Sequence, residues 1–402
     1  MPRATWPRVT LLLIPLLLMW WASGLGRIPA DPRDYFTPEQ IARASAYQVP
    51  RYVGTLASTV LGFAVLAVLA FTSVGDRVLL PLRRWPWPVA VAGAVAAVVV
   101  IRAVVRLPIS FWQGYLHEKT WGFSTQSVPG WLGDWAKSLG VGVLLTGVVF
   151  VGLFAAVRLV PRAWPAVVAV GVAGVTVALS FLGPVVLEPV FNRFRPLEDA
   201  TLAGELRELS RRAGVPVRDV LVSDASRRTT KENAYVSGFG STKRLVLYDT
   251  LLGKADRDEV RLIVAHELGH RRARHVEIGT LIGAVGAAAT VIAIWLLIRA
   301  GMIRGGPADP RSVPLLLLLI GALTLVVQPP ANWLSRRFER EADRFSLELT
   351  GERDAYLKAE RGLALRNLSD LDPNPATYRF LFTHPAPAER LALAQERTGP
   401  LR

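Results

Sequence analysis

About seven apolar runs limit what this chain can fold into. They lie near residues 9–25, 53–73, 88–105, 139–160, 165–187, 278–300 and 313–330. A helix needs about 20 apolar residues to cross a bilayer core, and these runs approach or meet that length. In lipid every backbone N–H and C=O must find its partner inside the segment, so such runs become helices. The expected fold is mainly α: a polytopic membrane protein with about seven transmembrane helices. Composition agrees, since 51% hydrophobic residues and a mean hydropathy of +0.32 are too apolar for an ordinary soluble enzyme. Arg3 and Arg8 precede the first run, and Ala22-Ser23-Gly24 at its end would suit a cleaved signal peptide. Trp20-Trp21 suits a membrane interface better, which favours a retained first span. Trp112, Trp121, Trp131 and Trp135 mark 108–137 as an interfacial segment between the third and fourth runs.

The polar stretches divide the chain into four parts. Residues 1–187 form an N-terminal membrane region with five spans, 188–276 a water-soluble block, 277–330 a two-span hairpin, and 331–402 a charged helical tail. The soluble block reads as a small α+β unit. It has an amphipathic helix over about 197–213, a strand near Val217–Ser223, a strand pair at Ala234–Gly238 and Arg244–Tyr248, and a helix from about Ala255. Thr37-Pro38-Glu39-Gln40 reads as a capped helix start. The net charge of +15 is spread along the whole chain, with many arginines flanking apolar runs. That distribution points to anionic lipid headgroups as partner rather than to nucleic acid. The chain has no cysteine, so it has no disulfides and no thiolate ligands, and a metal site must use histidine and carboxylate.

Chemistry concentrates at 262–275, Leu-Ile-Val-Ala-His-Glu-Leu-Gly-His-Arg-Arg-Ala-Arg-His. His266 and His270 are four apart and share one helix face, close enough to grip one metal ion. Glu267 sits where a carboxylate can take a proton from water at that metal. A catalytic zinc usually takes three protein ligands and leaves one position open. Glu277, Glu339, Glu341, Asp343 and Glu348 are candidates for the third. The hairpin of 278–330 returns the tail to the side of the His pair. Glu339 and Asp343 lie four apart on one helix face there, although taken alone an ordinary charged face explains them as well. His275 falls about 140° further round the helix than His270, a poor position for the same ion, and reads as a packing or supporting residue.

Several stretches together resemble the type 1 CAAX prenyl protease family, integral-membrane zinc metalloendopeptidases. They are Pro189–Phe194, Asn233-Ala234-Tyr235, Lys243–Thr250, His266–His275, Ser335–Asp343 and His384–Leu391. The resemblance implies a zincin-like catalytic domain and one Zn2+ per chain on His266, His270 and Glu339. It also implies Asp343 as the carboxylate orienting a histidine, and Glu267 as general base. His384, otherwise read as a turn histidine before proline, and Arg390 are implied to stabilise the oxyanion. Asn233, Ala234 and Tyr235 are implied to hold substrate as an added edge strand. The implied substrate is a peptide or protein, lipidated or membrane-embedded, and the implied setting is the cell membrane with the site facing the cytoplasm. Arg77, Arg83, Arg84, Arg158, Arg162, Arg304 and Arg311 lie on the face opposite the soluble block, so counting short-loop charges alone suggests the reverse orientation. Oligomeric state is not legible. Two other readings fit parts of the chain: a heat-shock-type quality-control zinc protease, and a non-enzymatic transporter or binding protein with a structural metal. Five apolar runs before the His pair argue against the first.

Overall fold

The computed structural model describes residues 30–238, 240–299 and 308–396. The apolar run at 9–25 lies outside the described residues. Within them, six helices are long and apolar enough to cross a membrane. Four come first: α1 (Pro38–Phe71), α2 (Trp87–Phe111), α3 (Val128–Leu159) and α4 (Trp164–Val186). Two follow the soluble block: α7 (His275–Arg299) and α8 (Val313–Thr350). Their outer faces carry exposed Val and Leu, such as Val53, Leu144, Val170 and Leu281. In water that pattern would aggregate; in lipid it is the solvated face.

α1 starts at the cap read from the sequence. The Thr37 hydroxyl accepts from Gln40 N and the Gln40 side chain accepts from Thr37 N, which satisfies two orphan donors reciprocally. α2 runs on through one wide turn, Trp112–Leu116, and a further helical turn to Thr120. The Trp-rich stretch prolongs one helix and begins the next. His117, at that end, is buried against the Tyr47 ring, with Nε2 2.9 Å from the Tyr47 carbonyl. At the far end of the bundle, Arg311 bridges Asp309 and Asp76, and Arg158 donates to the Ala308 carbonyl.

The soluble block holds a four-stranded sheet: β1 (Phe194–Pro196), β2 (Asp219–Ser223), β3 (Ala234–Ser237) and β4 (Arg244–Tyr248), in the order β1-β2-β4-β3. β2 and β4 are parallel, while β1 and β3 pair antiparallel on the two sides, so β3 is an edge strand. One face is packed by α5 (Ala200–Arg212) and α6 (Arg257–Arg272). Leu206, Leu245, Leu247, Val264 and Leu268 are fully buried in that common core. Asp256 caps α6 by accepting from Glu259 N, Asp258 and Glu259 sit in its first turn, and basic residues end it, as the helix dipole favours.

α6 stops at Ala273, Arg274 takes a left-handed conformation (φ 56°), and α7 begins at His275. The chain thus passes from the metal-motif helix into a membrane span through a two-residue break. α8 is one continuous helix through Pro329 and Pro330, so the part boundary read at 330/331 falls inside it. Beyond α8 come α9 (Arg353–Arg366), α10 (Pro375–Leu381) and α11 (Pro387–Glu396). Asn332 and the fully buried Arg336 of α8 donate to the carbonyls of Tyr378, Arg379 and Phe382, which fixes the turn carrying His384.

Candidate metal centre

α6 and α8 approach closely at Gly269. A Cβ there would lie 3.0 Å from the Ala342 Cα, so the glycine of His-Glu-Leu-Gly-His allows the two helices to touch. That contact brings Glu339 over the His pair. His266 Nε2 and His270 Nε2 are 3.1 Å apart; Glu339 Oε2 lies 3.2 Å from the first and Oε1 3.4 Å from the second. Ligand atoms of the three residues fall within 4.8 Å of one another. Glu339 Oε2 is buried with no hydrogen-bond donor among the described residues. Two imidazole nitrogens facing each other and an orphaned buried carboxylate oxygen are the environment a divalent cation satisfies. A donor set of two nitrogens and one oxygen fits zinc.

Each histidine is held from behind. His266 Nδ1 is 2.8 Å from Asp343 Oδ1, which leaves Nε2 with its lone pair toward the centre. His270 Nδ1 is 3.0 Å from His275 Nδ1, and His275 Nε2 is 3.2 Å from Glu341 Oε2 while its ring stacks on Phe338. His275 and Glu341 therefore stand outside the centre but support it. Of the five candidate carboxylates, only Glu339 enters the three-residue cluster found among the described residues.

Glu267 points into a cleft of about 700 Å3 that also exposes His266, Asn233, His384, Glu360 and Arg390. Burial pushes its carboxyl above the ordinary value, with the two histidines partly opposing that. His384 is 59% exposed and its Nε2 lies 3.3 Å from Glu339 Oε2, on the open side of the centre. Arg390, implied by the resemblance to stabilise the oxyanion, lines the same cleft and pairs with two carboxylates. Its Nε donates to Asp343 Oδ2 at 2.9 Å, Nη2 binds Asp343 Oδ1, and Nη1 lies 2.6 Å from Glu360 Oε2. The guanidinium is clamped between two carboxylates behind His266. Glu360 was not singled out in the sequence. It is an ordinary glutamate on a charged helix until α9 turns it inward, where burial raises its carboxyl to about 7 despite Arg390.

Asn233 precedes β3 and lines the cleft, while Ala234 and Tyr235 lie on the strand that follows. The Asn233 side chain accepts from Ala234 N at 2.9 Å. The Tyr235 hydroxyl donates to Glu188, which also pairs with Arg244 at 3.1 Å and so ties the end of α4 to the sheet.

A family model for peptidase family M48 matches residues 196–398, half of the chain and every residue of this centre. The chain belongs to peptidase family M48. A second model, described as the CAAX prenyl protease N-terminal region with five membrane helices, matches 23–193. An uncharacterized metalloprotease of Bacillus subtilis, YhfN, is 29% identical over 96% of this chain and 94% of its own length. CAAX prenyl protease 1 of Saccharomyces cerevisiae is 27% identical over 72% of this chain and 69% of its own. The crystal structure of S. mikatae Ste24p has the same fold, with a TM-score of 0.80 at 21% identity, covering 98% of this chain and 100% of that one. This M48 peptidase is therefore a multi-span membrane metalloendopeptidase acting on protein substrates. The quality-control and transporter readings are not favoured, because one half of the chain matches a peptidase model and the other a CAAX prenyl protease N-terminal model.

Proposed function

We propose that His266, His270 and Glu339 hold a single zinc ion and that Glu267 is the general base for peptide-bond hydrolysis. The convergence of three ligand atoms beside Glu267 carries this reading. Zinc so held would polarise the scissile carbonyl and bring the pKa of a coordinated water toward neutrality. Glu267, its carboxyl raised by burial, accepts the proton of the attacking water and delivers it to the leaving amine. Asp343 keeps His266 in the tautomer that leaves Nε2 free, and Arg390 acts through Asp343 as a positioning residue. His384, on the open side of Glu339, donates a hydrogen bond to the developing oxyanion. The peptide adds to the free edge of β3 beside Asn233, Ala234 and Tyr235.

The substrate class follows from the yeast relative's name and from the membrane seat of the cleft: a peptide segment at the membrane surface, with or without a prenyl group. The site faces the cytoplasm from the cell membrane. Digestion of sealed vesicles carrying a tag after Arg402 tests that orientation. The mechanism is tested with Glu267→Gln, which should retain one zinc per chain while kcat falls by about 10²- to 10⁴-fold. Retained zinc with cleavage at the wild-type rate would remove Glu267 from the mechanism.

A further inference from the structure

β3 continues from Asn233, which lines the cleft, and its free edge is already engaged by its own protein. Tyr248 N donates to the Asn233 carbonyl, and the register pairs Ala234 with Leu247 and Val236 with Leu245. In an antiparallel pair, alternate residues turn their N–H and C=O to the same side. Asn233, Tyr235 and Ser237 therefore face β4, while Ala234 and Val236 present theirs to the free edge. The outward Val236 carbonyl accepts two hydrogen bonds from Arg271, one from Nε at 3.2 Å and one from Nη2 at 2.5 Å. Arg271 belongs to the last turn of α6, one residue after His270. Its guanidinium thus occupies an acceptor that a peptide lying along β3 would use.

A second observation concerns where that guanidinium can go. Glu277, in the first turn of α7, has a buried Oε2 with no hydrogen-bond partner among the described residues. The Glu277 and Glu267 carboxylates lie within electrostatic reach of Arg271 and support its charge against the cost of its burial. The break at Ala273–Arg274 places Glu277 on the helix that follows. The half-buried Arg271 cation thus has one occupied acceptor at Val236 and one unpartnered carboxylate oxygen within electrostatic reach.

We infer that Arg271 is a competing latch on the substrate edge that sets how tightly peptides bind there. It holds the Val236 carbonyl until an extended peptide offers its own backbone N–H there, and Glu277 receives the displaced guanidinium. The inference rests on the reading that peptides add to β3. The latch offsets part of what a free N–H at that position gains. A proline or N-methylated residue there cannot take the carbonyl from Arg271. Removing the latch should tighten binding while leaving the zinc site intact.

The test uses the full-length protein in detergent and a fluorogenic peptide, with a series of that peptide N-methylated at one position at a time. Arg271→Met is expected to lower KM by about five- to tenfold, the worth of a competing hydrogen bond, with kcat within about twofold and zinc content unchanged. Arg271→Lys, which keeps one donor, is expected to fall between. Glu277→Gln, which weakens the receiving position, is expected to raise KM by about threefold. Methylation at one position should raise KM more in Arg271→Met than in wild type, because only there does the peptide bind a carbonyl with no rival. If methylation at no position raises KM in any variant, edge addition itself fails. If methylation raises KM equally in both proteins and Arg271→Met does not lower it, the latch is overturned while edge addition stands. A raised KM with lost zinc in both Arg271→Met and Arg271→Lys would assign Arg271 a structural clasp instead.

Discussion

The two halves of α8 differ in almost everything except their backbone. From Val313 to about Pro330 the helix carries Leu, Val and Ile, most of them packed inside and a few exposed, as at Leu325 and Val326. From Ala331 to Thr350 the same helix carries Glu339 and Asp343, both buried and both facing other polar groups. Hydrocarbon solvates the exposed side of the first half and protein surrounds the second, so exposed apolar surface and a buried carboxylate can share one rod. Continuity matters because no loop separates the two halves, even across Pro329 and Pro330. The depth at which the first half sits in the membrane sets the height of Glu339 above it. A soluble peptidase on a flexible anchor would lack that coupling.

Changes in the two halves should therefore fail in different ways. Leu325→Asp places a charge on the lipid face at a cost of about 2–3 kcal/mol, given its off-centre depth. Membrane-inserted protein should drop severely on quantitative blotting, while the fraction that inserts keeps wild-type metal affinity. Asp343→Asn should do the reverse. Insertion stays normal, and metal affinity in a competition with a chelator falls by about 10- to 100-fold. If either variant fails in the other's manner, the division of labour along α8 is wrong. Gly269→Ala probes the contact between α6 and the second half. The added methyl meets the α8 backbone, so a destabilisation of about 1–3 kcal/mol, with a matching loss of metal retention on heating, is expected.

Glu360→Gln is the gentlest test. Losing one of two carboxylates around Arg390 should cost about tenfold in kcat with KM unchanged, as expected of a group that acts through Arg390 and Asp343. The same variant carries a pH signature. Burial raises the Glu360 carboxyl from 4.5 to about 7, so the folded state binds its proton more tightly than the unfolded chain does. Its contribution to stability is full below about 4.5 and is lost as pH rises through about 7. Glu360→Gln should flatten the fall in Tm over that window.

Much of this was legible in the residues alone. Apolar runs announce spans because lipid leaves the backbone no other solution, and each of the six spans among the described residues overlaps one of the runs. The Thr37 capping box and the strands of the soluble block are local features, written in adjacent residues. His266, Glu267 and His270 lie within one helical turn, so their shared face follows from the helix period alone. The extent of the helices was less legible. Polar residues after Pro330 read as a new part, yet nothing local stops the helix until Gly351 takes a left-handed cap.

What only tertiary structure decided are the contacts between groups far apart in the chain. Periodicity left Glu277, Glu339, Glu341, Asp343 and Glu348 open as partners of the His pair. The crossing of α6 and α8 at Gly269 chose among them, placing Glu339 at the centre, Asp343 behind His266 across 77 residues, and Glu341 behind His275. The clamp of Arg390 between Asp343 and Glu360, and the grip of Arg271 on the Val236 carbonyl, were equally unreadable. A lone arginine or glutamate on a helix gives no sign of which way its surroundings will turn it. Such roles depend on orientation and burial, and those exist only once the helices and the sheet edge have met.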